Sequence, residues 1–156
     1  MFEKILVPLD GSELSEQALP IARELAQQFG STVHLIQVVP VAEEMGARRV
    51  VESPQIAEIE VEQARRLTES RVDRGTKYVE QIQSQLKEAG IKIDDRVAVG
   101  QGAPADQIVD YVKANNISLV VMTSHGRGGL RRLLVGSVTD RVIRSCEVPV
   151  LVNPCS

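Results

Sequence analysis

The sequence predicts an α/β fold, a five-stranded parallel doubly wound sheet with helices on both faces. Three observations carry this. Five short apolar runs recur along the chain, segments with helical period separate them, and the runs are continuously apolar rather than alternating, as strands buried on both faces are.

The first run is Ile5-Leu6-Val7-Pro8-Leu9, broken by Asp10-Gly11-Ser12. Leu14, Ala18, Ile21, Ala22, Leu25 and Phe29 then recur at three- and four-residue spacing, one helix face, and Gly30 stops it as a C′ glycine does. Thr32 to Val39 is β-branched-rich and ends at Pro40, a second strand. Residues Val41 to Ala57 have no clear period and are read as a long connection or functional flap. A long amphipathic helix is expected from Glu58 to Ala89, with Val61, Ala64, Val72, Val79, Ile82 and Leu86 along one side and Gly90 ending it. Gly75 weakens its middle by about 1 kcal/mol relative to Ala and is a possible break.

The third strand is expected at Asp94 to Val99. Pro104 marks a helix start whose buried face is Ile108, Val109 and Val112, running to Asn115-Asn116. Ser118 to Met122 is the fourth strand, followed by the polar, glycine-rich segment Thr123 to Gly129. Ser137 opens the last helix and Val148 to Val152 is the fifth strand. Right-handed crossovers then wind this order into one sheet, and a single domain over 1–156 is expected.

Composition narrows the function. With 156 residues, 43% apolar, 25% charged and net charge −3, the chain reads as an ordinary globular domain with no global attraction for nucleic acid or anionic membranes. Aromatics at 3% leave little for stacking bases. No apolar run nears the ~20 residues that span a bilayer, and Met1-Phe2-Glu3-Lys4-Ile5 lacks the plan of a signal peptide. Cys146 and Cys155 make neither a CxxC pair nor a disulfide framework, so a cytoplasmic location is expected.

In such a sheet ligands bind beyond the carboxyl ends of the strands, where strand order reverses. The richest segment there is Ser124-His125-Gly126-Arg127-Gly128-Gly129, three glycines in four residues after a buried strand, whose amides can close on an anion. Gly136-Ser137-Val138-Thr139-Asp140 adds a Ser-x-x-Asp helix start, whose first amides and positive dipole end suit a phosphate. Arg127, Arg131, Arg132, Arg141 and Arg144 make the stretch locally basic. Each feature alone reads as a turn, a cap or a solvated cation; together they point to phosphate. Asp10, ending the first strand, suits a ribose hydroxyl or a metal, although local sequence favours a helix cap with Glu13 three residues on.

Other motifs fall away. Gly100-Gln101-Gly102-Ala103-Pro104-Ala105 imitates a dinucleotide fingerprint, but it follows the third strand and is read as a turn before a helix. No Walker A sequence occurs, and Met122 replaces the glycine that a G-x-S-x-G elbow needs. Two histidines without clustered acids or cysteines make no zinc site. His34 is read as a packed or edge histidine, and His125 as a phosphate neighbour or a structural hydrogen bond.

The chain resembles the universal stress protein family over nearly its whole length. Ile5-Leu6-Val7-Pro8-Leu9-Asp10-Gly11-Ser12 is similar to the family's first strand and turn. Gly126, nine intervening residues, then Gly136-Ser137 matches its G-x-x-G-x9-G-[S/T] signature in register, followed by Val148 to Val152. The resemblance implies the adenine-nucleotide α-hydrolase-like fold and ATP, with a bridging Mg2+, as ligand. It places Pro8, Asp10 and Val38 at adenine and ribose, with Asp10 toward ribose. Met122 and Thr123 would pack near the ribose, and Gly126, Gly136, Ser137, Val138 and Thr139 would bind the phosphates. It also implies a homodimer through Val148 to Val152. Thr123 stands where the signature has its first glycine, so binding weaker than in the fullest matches, or a changed nucleotide preference, is expected. The function expected is an ATP-binding, stress-response regulatory module with no catalytic residue assigned. A slow ATP hydrolase and a nucleotide-free dimeric interaction protein are the alternatives.

Overall fold

The computed structural model of the chain describes residues 1–39, 54–124 and 136–154. Five parallel strands form one sheet: β1 (Lys4–Leu9), β2 (Thr32–Val39), β3 (Ala98–Gln101), β4 (Leu119–Ser124) and β5 (Val150–Pro154), in the order β3-β2-β1-β4-β5. The chain winds outward from β1 through β2 to β3, then returns to lay β4 and β5 on the other side. Order therefore reverses between β1 and β4. The described helices are α1 (Glu13–Glu16), α2 (Ala18–Phe29), α3 (Pro54–Glu88), α4 (Pro104–Asn115) and α5 (Ser137–Ser145).

The apolar strand runs are explained by two cores. Ile5, Val7 and Leu9 of β1 point to one face, packed by Ala18, Ala22 and Ala26 of α2 and Val79, Ile82 and Leu86 of α3. Leu6 points to the other, with Ile108 and Val112 of α4 and Val142 of α5. Both sheet faces are covered, as the doubly wound reading requires.

Several expected boundaries move. The first helix is two: Pro20 has no N–H to offer the carbonyl of Glu16, so α1 stops there and α2 restarts at Ala18. Leu14 and Phe29, expected on the buried face, are 42% and 50% exposed; the face is instead the alanine stripe. The long helix starts at Pro54 and passes Gly75 unbroken. A β-carbon there would lie 3.0 Å from Gln37 Oε1 and 3.3 Å from Val99, so glycine lets α3 approach the sheet closely. Of the predicted stripe, Val79, Ile82 and Leu86 are buried while Val61 is 56% exposed.

The third strand comes later than expected. Around Asp94 only one bridge, Val33 to Ile93, precedes β3. The Gln83 amide there donates to the carbonyls of Asp94 (3.0 Å) and Arg96 (3.1 Å), taking the place of strand partners. Gly100 and Gln101 accordingly belong to β3 and not to the turn. β4 runs two residues past Met122, so Thr123 and Ser124 are strand. β5 is Val150–Pro154 rather than 148–152, which leaves Pro149 outside it. Among the described residues no helix is long and apolar enough to cross a membrane.

Candidate functional site

The crevice opens where β1 and β4 part. They pair only at Ile5–Leu119 and Leu6–Val120, whereas β1 stays in register with β2 through Leu9–Gln37. Lys4 O accepts from Ser118 N (2.9 Å) and Glu3 O from Thr32 N (2.8 Å), so even-numbered β1 residues direct their backbone groups toward β4. Pro8 thus lacks its N–H on the β4 side, beyond the last β1–β4 pair, where no ladder bond is lost. The parting of the strands and the tolerance of a central proline have one cause.

Asp10 is exposed at the end of β1. Its Oδ1 accepts from Ser12 N (2.9 Å) and Ser12 Oγ (2.6 Å), with Gly11 between them at φ +82°. Ser12, not Asp10, is the cap of α1: its Oγ accepts from Ser15 N at 3.2 Å. The buried Ser15 Oγ donates to Ser12 O (2.8 Å) and accepts from Asp10 N (3.3 Å), knitting the turn together. The carboxylate is held at the strand end by this turn.

Across the crevice, α5 begins beside the end of β4. Thr139 Oγ1 donates to Thr123 O at 3.3 Å, and both residues are buried. Gly136 caps α5 in extended backbone without a side-chain bond, so Ser137 is the first helical residue and not the capping one expected. Asp140 N bonds to Gly136 O (2.8 Å), leaving the amides of Ser137, Val138 and Thr139 ahead of the first helical bond. Thr123 continues the alternation of Leu119 and Val121 toward the α2 face and is 4% exposed, so its side chain is packed away. Met122 is buried in the opposite core, where Val38 and Val138 also pack. Arg141 pairs with Asp106 (2.8 Å) and Arg144 with Asp140 (2.9 Å), so these two arginines serve the α4–α5 surface. Gly126, His125, Arg127, Arg131 and Arg132 lie outside the described residues, as do Val41 to Ser53 of the expected flap.

On the β2 side lies a cleft of about 390 Å³ lined by Asp10, Gly11, Gln37, Val38, Val39, Arg71, Arg74, Gly75 and Tyr78. Tyr78 Oη donates to Glu16 Oε1 at 2.8 Å, and burial together with that carboxylate raises its pKa. Gln37 Oε1 is buried without a hydrogen-bond partner. Sequence reasoning missed Gln37, Arg71, Arg74 and Tyr78. The available signal was their spacing: Arg71, Arg74, Gly75 and Tyr78 recur every three or four residues on one face of α3.

His34 is a packed histidine remote from this edge. It is 1% exposed, 3.2 Å from Tyr111 Oη and 3.7 Å from Asp94 Oδ2, and burial depresses its pKa although Asp94 pulls the other way. Among the described residues no cluster of three or more His, Cys, Asp or Glu could hold a metal.

This architecture has close counterparts. A protein from Methanocaldococcus jannaschii, universal stress protein MJ0531, is 32% identical over 152 residues, covering 97% of this chain and 82% of its own length. Universal stress protein MJ0577 of the same organism is 31% identical over 160 residues, covering 97% of this chain and 94% of its own. The solved structure of MJ0577 superposes with a TM-score of 0.74 at 29% identity, covering 100% and 98% of the two chains. Two more distant structures share the fold. A universal stress protein in complex with cAMP has a TM-score of 0.64 at 21% identity, covering 99% of this chain and 98% of that one. An Arabidopsis thaliana universal stress protein with AMP bound has a TM-score of 0.59 at 18% identity, covering 98% and 92%. The model of the universal stress protein family matches residues 1–154, and the chain belongs to that family.

Proposed function

We propose that this universal stress protein is an adenine-nucleotide-binding regulatory module of the cytoplasm, with ATP across the β1–β4 crevice. One juxtaposition carries the reading: where strand order reverses, the Asp10 carboxylate stands across from the first amides of α5, which precede its first helical bond. Asp10 accepts from a ribose hydroxyl, with Pro8, Val38 and Met122 along the base and ribose. The amides of Ser137, Val138 and Thr139, with Gly136 and Gly126, hold phosphate. Thr123 is 4% exposed and continues the alternation of Leu119 and Val121, so on this reading its backbone borders the crevice. That supports binding despite the lost glycine. Mg2+ would arrive with the nucleotide and would offset the charge of its phosphates. The cAMP and AMP complexes of family members favour an adenine nucleotide.

The same reading includes a homodimer. β5 is an edge strand, and Val150, Leu151 and Val152 are all half-buried. A second copy pairing there would cover apolar side chains and satisfy the open edge.

The test is the nucleotide content of freshly purified protein, followed by titration of stripped protein with ATP and Mg2+. ATP or ADP near one per chain is expected, with Gly136→Val weakening binding roughly tenfold by crowding the charge-assisted phosphate contacts while the circular dichroism spectrum is unchanged. No nucleotide recovered and no heat on titration would sink the reading and favour a protein acting through its dimer surface alone.

A further inference from the structure

Asp10 and α1 form one small unit. Ser12 donates twice to the Asp10 carboxylate, and the Ser15 hydroxyl accepts from Asp10 N at 3.3 Å while donating to Ser12 O at 2.8 Å. α1 runs only from Glu13 to Glu16, and Pro20 removes the bond that would carry it on into α2. A single helical turn has too few bonds of its own to stay in place, so what holds this unit lies outside it. We infer that Tyr78 of α3 is a positioning residue for the carboxylate of Asp10, and so for the ribose hydroxyls that this carboxylate accepts from. The inference rests on the nucleotide reading above.

Tyr78 Oη donates to Glu16 Oε1 at 2.8 Å, and Glu16 is the last residue of α1. The bond bridges 62 residues of chain, so it fixes where α1 sits and not merely its internal shape. Glu16 N in turn donates to Ser12 O at 3.3 Å, which returns the restraint to the residue bonded to Asp10. Burial raises the pKa of the phenol, the Glu16 carboxylate raises it further, the Ser15 hydroxyl acts the other way, and Asp10 adds to the rise. All three groups therefore act on one phenol oxygen, which keeps its proton and its donor role at neutral pH. The tyrosine ring packs against the core that α2 and α3 share, and Gly75 one turn earlier sets how near the sheet α3 lies. The phenol is thus delivered by the well-packed half of the helix, where Val79, Ile82 and Leu86 are buried. A carboxylate meets a hydroxyl only within a narrow range of distance and angle. A small shift of α1 therefore loses the ribose contact while leaving the amides of α5 in place.

Isothermal titration of the full chain with ATP and with 2′,3′-dideoxyATP, both with Mg2+, tests this. The unaltered protein is expected to favour ATP about tenfold, the size of one hydrogen bond to a charged group. Tyr78→Phe keeps the ring and removes only the hydroxyl, and the preference should fall to about twofold; Glu16→Leu should do the same. Glu16→Gln retains an acceptor for the phenol and should restore most of the preference. Asp10→Ala should abolish it, and adding Tyr78→Phe to that variant should change it no further, as two residues acting through one contact require. A preference that survives Tyr78→Phe would overturn the inference. So would an equal loss of affinity for both nucleotides in that variant, which marks a purely structural role. If the unaltered protein binds ATP without preferring it to the dideoxy analogue, the inference falls and nucleotide binding stands; if neither nucleotide binds, both readings fall.

Discussion

The two ends of α3 are built from similar residues and held by different forces. Beyond Gly75, Val79, Ile82 and Leu86 are buried against β1 and β2, at 8% exposure or less. Before it, Ile56, Ile59, Val61 and Leu67 are 45–58% exposed. That outer end spans about 30 Å at 1.5 Å per residue. Its visible supports are the exposed pairs of Glu62 with Arg65 (2.9 Å) and Arg66 (2.8 Å), and of Arg65 with Glu69. Apolar residues at helical spacing mark a face; they do not say whether anything lies against it. The cleft beside Asp10 sits where one regime gives way to the other, at Arg71, Arg74 and Gly75.

The sharpest test of this contrast is one substitution made twice. Ile82→Ala should cost about 3 kcal/mol of unfolding free energy, as buried isoleucine truncations do. Ile59→Ala should cost less than about 0.5 kcal/mol, because water already reaches that side chain. Denaturant melts of the two variants measure both, and comparable losses would show that the outer end is covered in solution. Gly75→Leu probes the boundary itself. Its side chain must displace Gln37 and Val99, so a loss of about 2 kcal/mol is expected, together with weaker nucleotide binding as the cleft fills.

The smallest expected effect is in pH. His34 has a folded pKa below its ordinary 6.5, because burial outweighs the pull of Asp94, with Lys4 and Arg96 also lowering it. A lowered histidine pKa means that the folded state resists the proton. Stability from this group is therefore present above pH 6.5 and declines as the pH falls below it. Tyr111 faces the ring and stays neutral throughout this range. Melting temperature should drop between pH 7.5 and 5.5, and His34→Gln should flatten that slope; an unchanged slope would refute the assignment. Glu62 answers in a lower window. Its arginine hydrogen bonds bring its pKa from 4.5 to about 2, so its support for the outer helix is lost as pH falls through that interval. Helical signal lost there, after the histidine transition, would separate the two ends by titration.

Much of the fold was legible in the residues themselves. Gly30 ends α2 in the left-handed conformation at φ +67°, as a C′ glycine should, and Pro104 opens α4. Ile108, Val109 and Val112 are the buried face expected of that helix. Local signals failed where a tertiary partner competed. Gln83 takes the carbonyls that would have extended β3, whereas the break between α1 and α2 came from a local signal left unread, Pro20 acting on a carbonyl four residues back. The site divided the same way. The Asp10 turn and the Gly136-Ser137 helix start stood out as motifs, because their chemistry is carried by consecutive residues.

By itself, then, the sequence determined the order of strands and helices, the burial of the apolar residues of β1 on both faces, and the turn at Asp10 and the helix start at Gly136-Ser137. Those properties follow from local periodicity, from turn residues and from the lack of any water-facing side on a doubly covered strand. Only the tertiary structure decided that the Thr123 side chain is buried, that Ser12 rather than Asp10 caps the first helix, and that Arg71 and Arg74 join Asp10 across some sixty residues of chain. That last meeting depends on how close two backbones can come, and a missing β-carbon at Gly75 sets the distance.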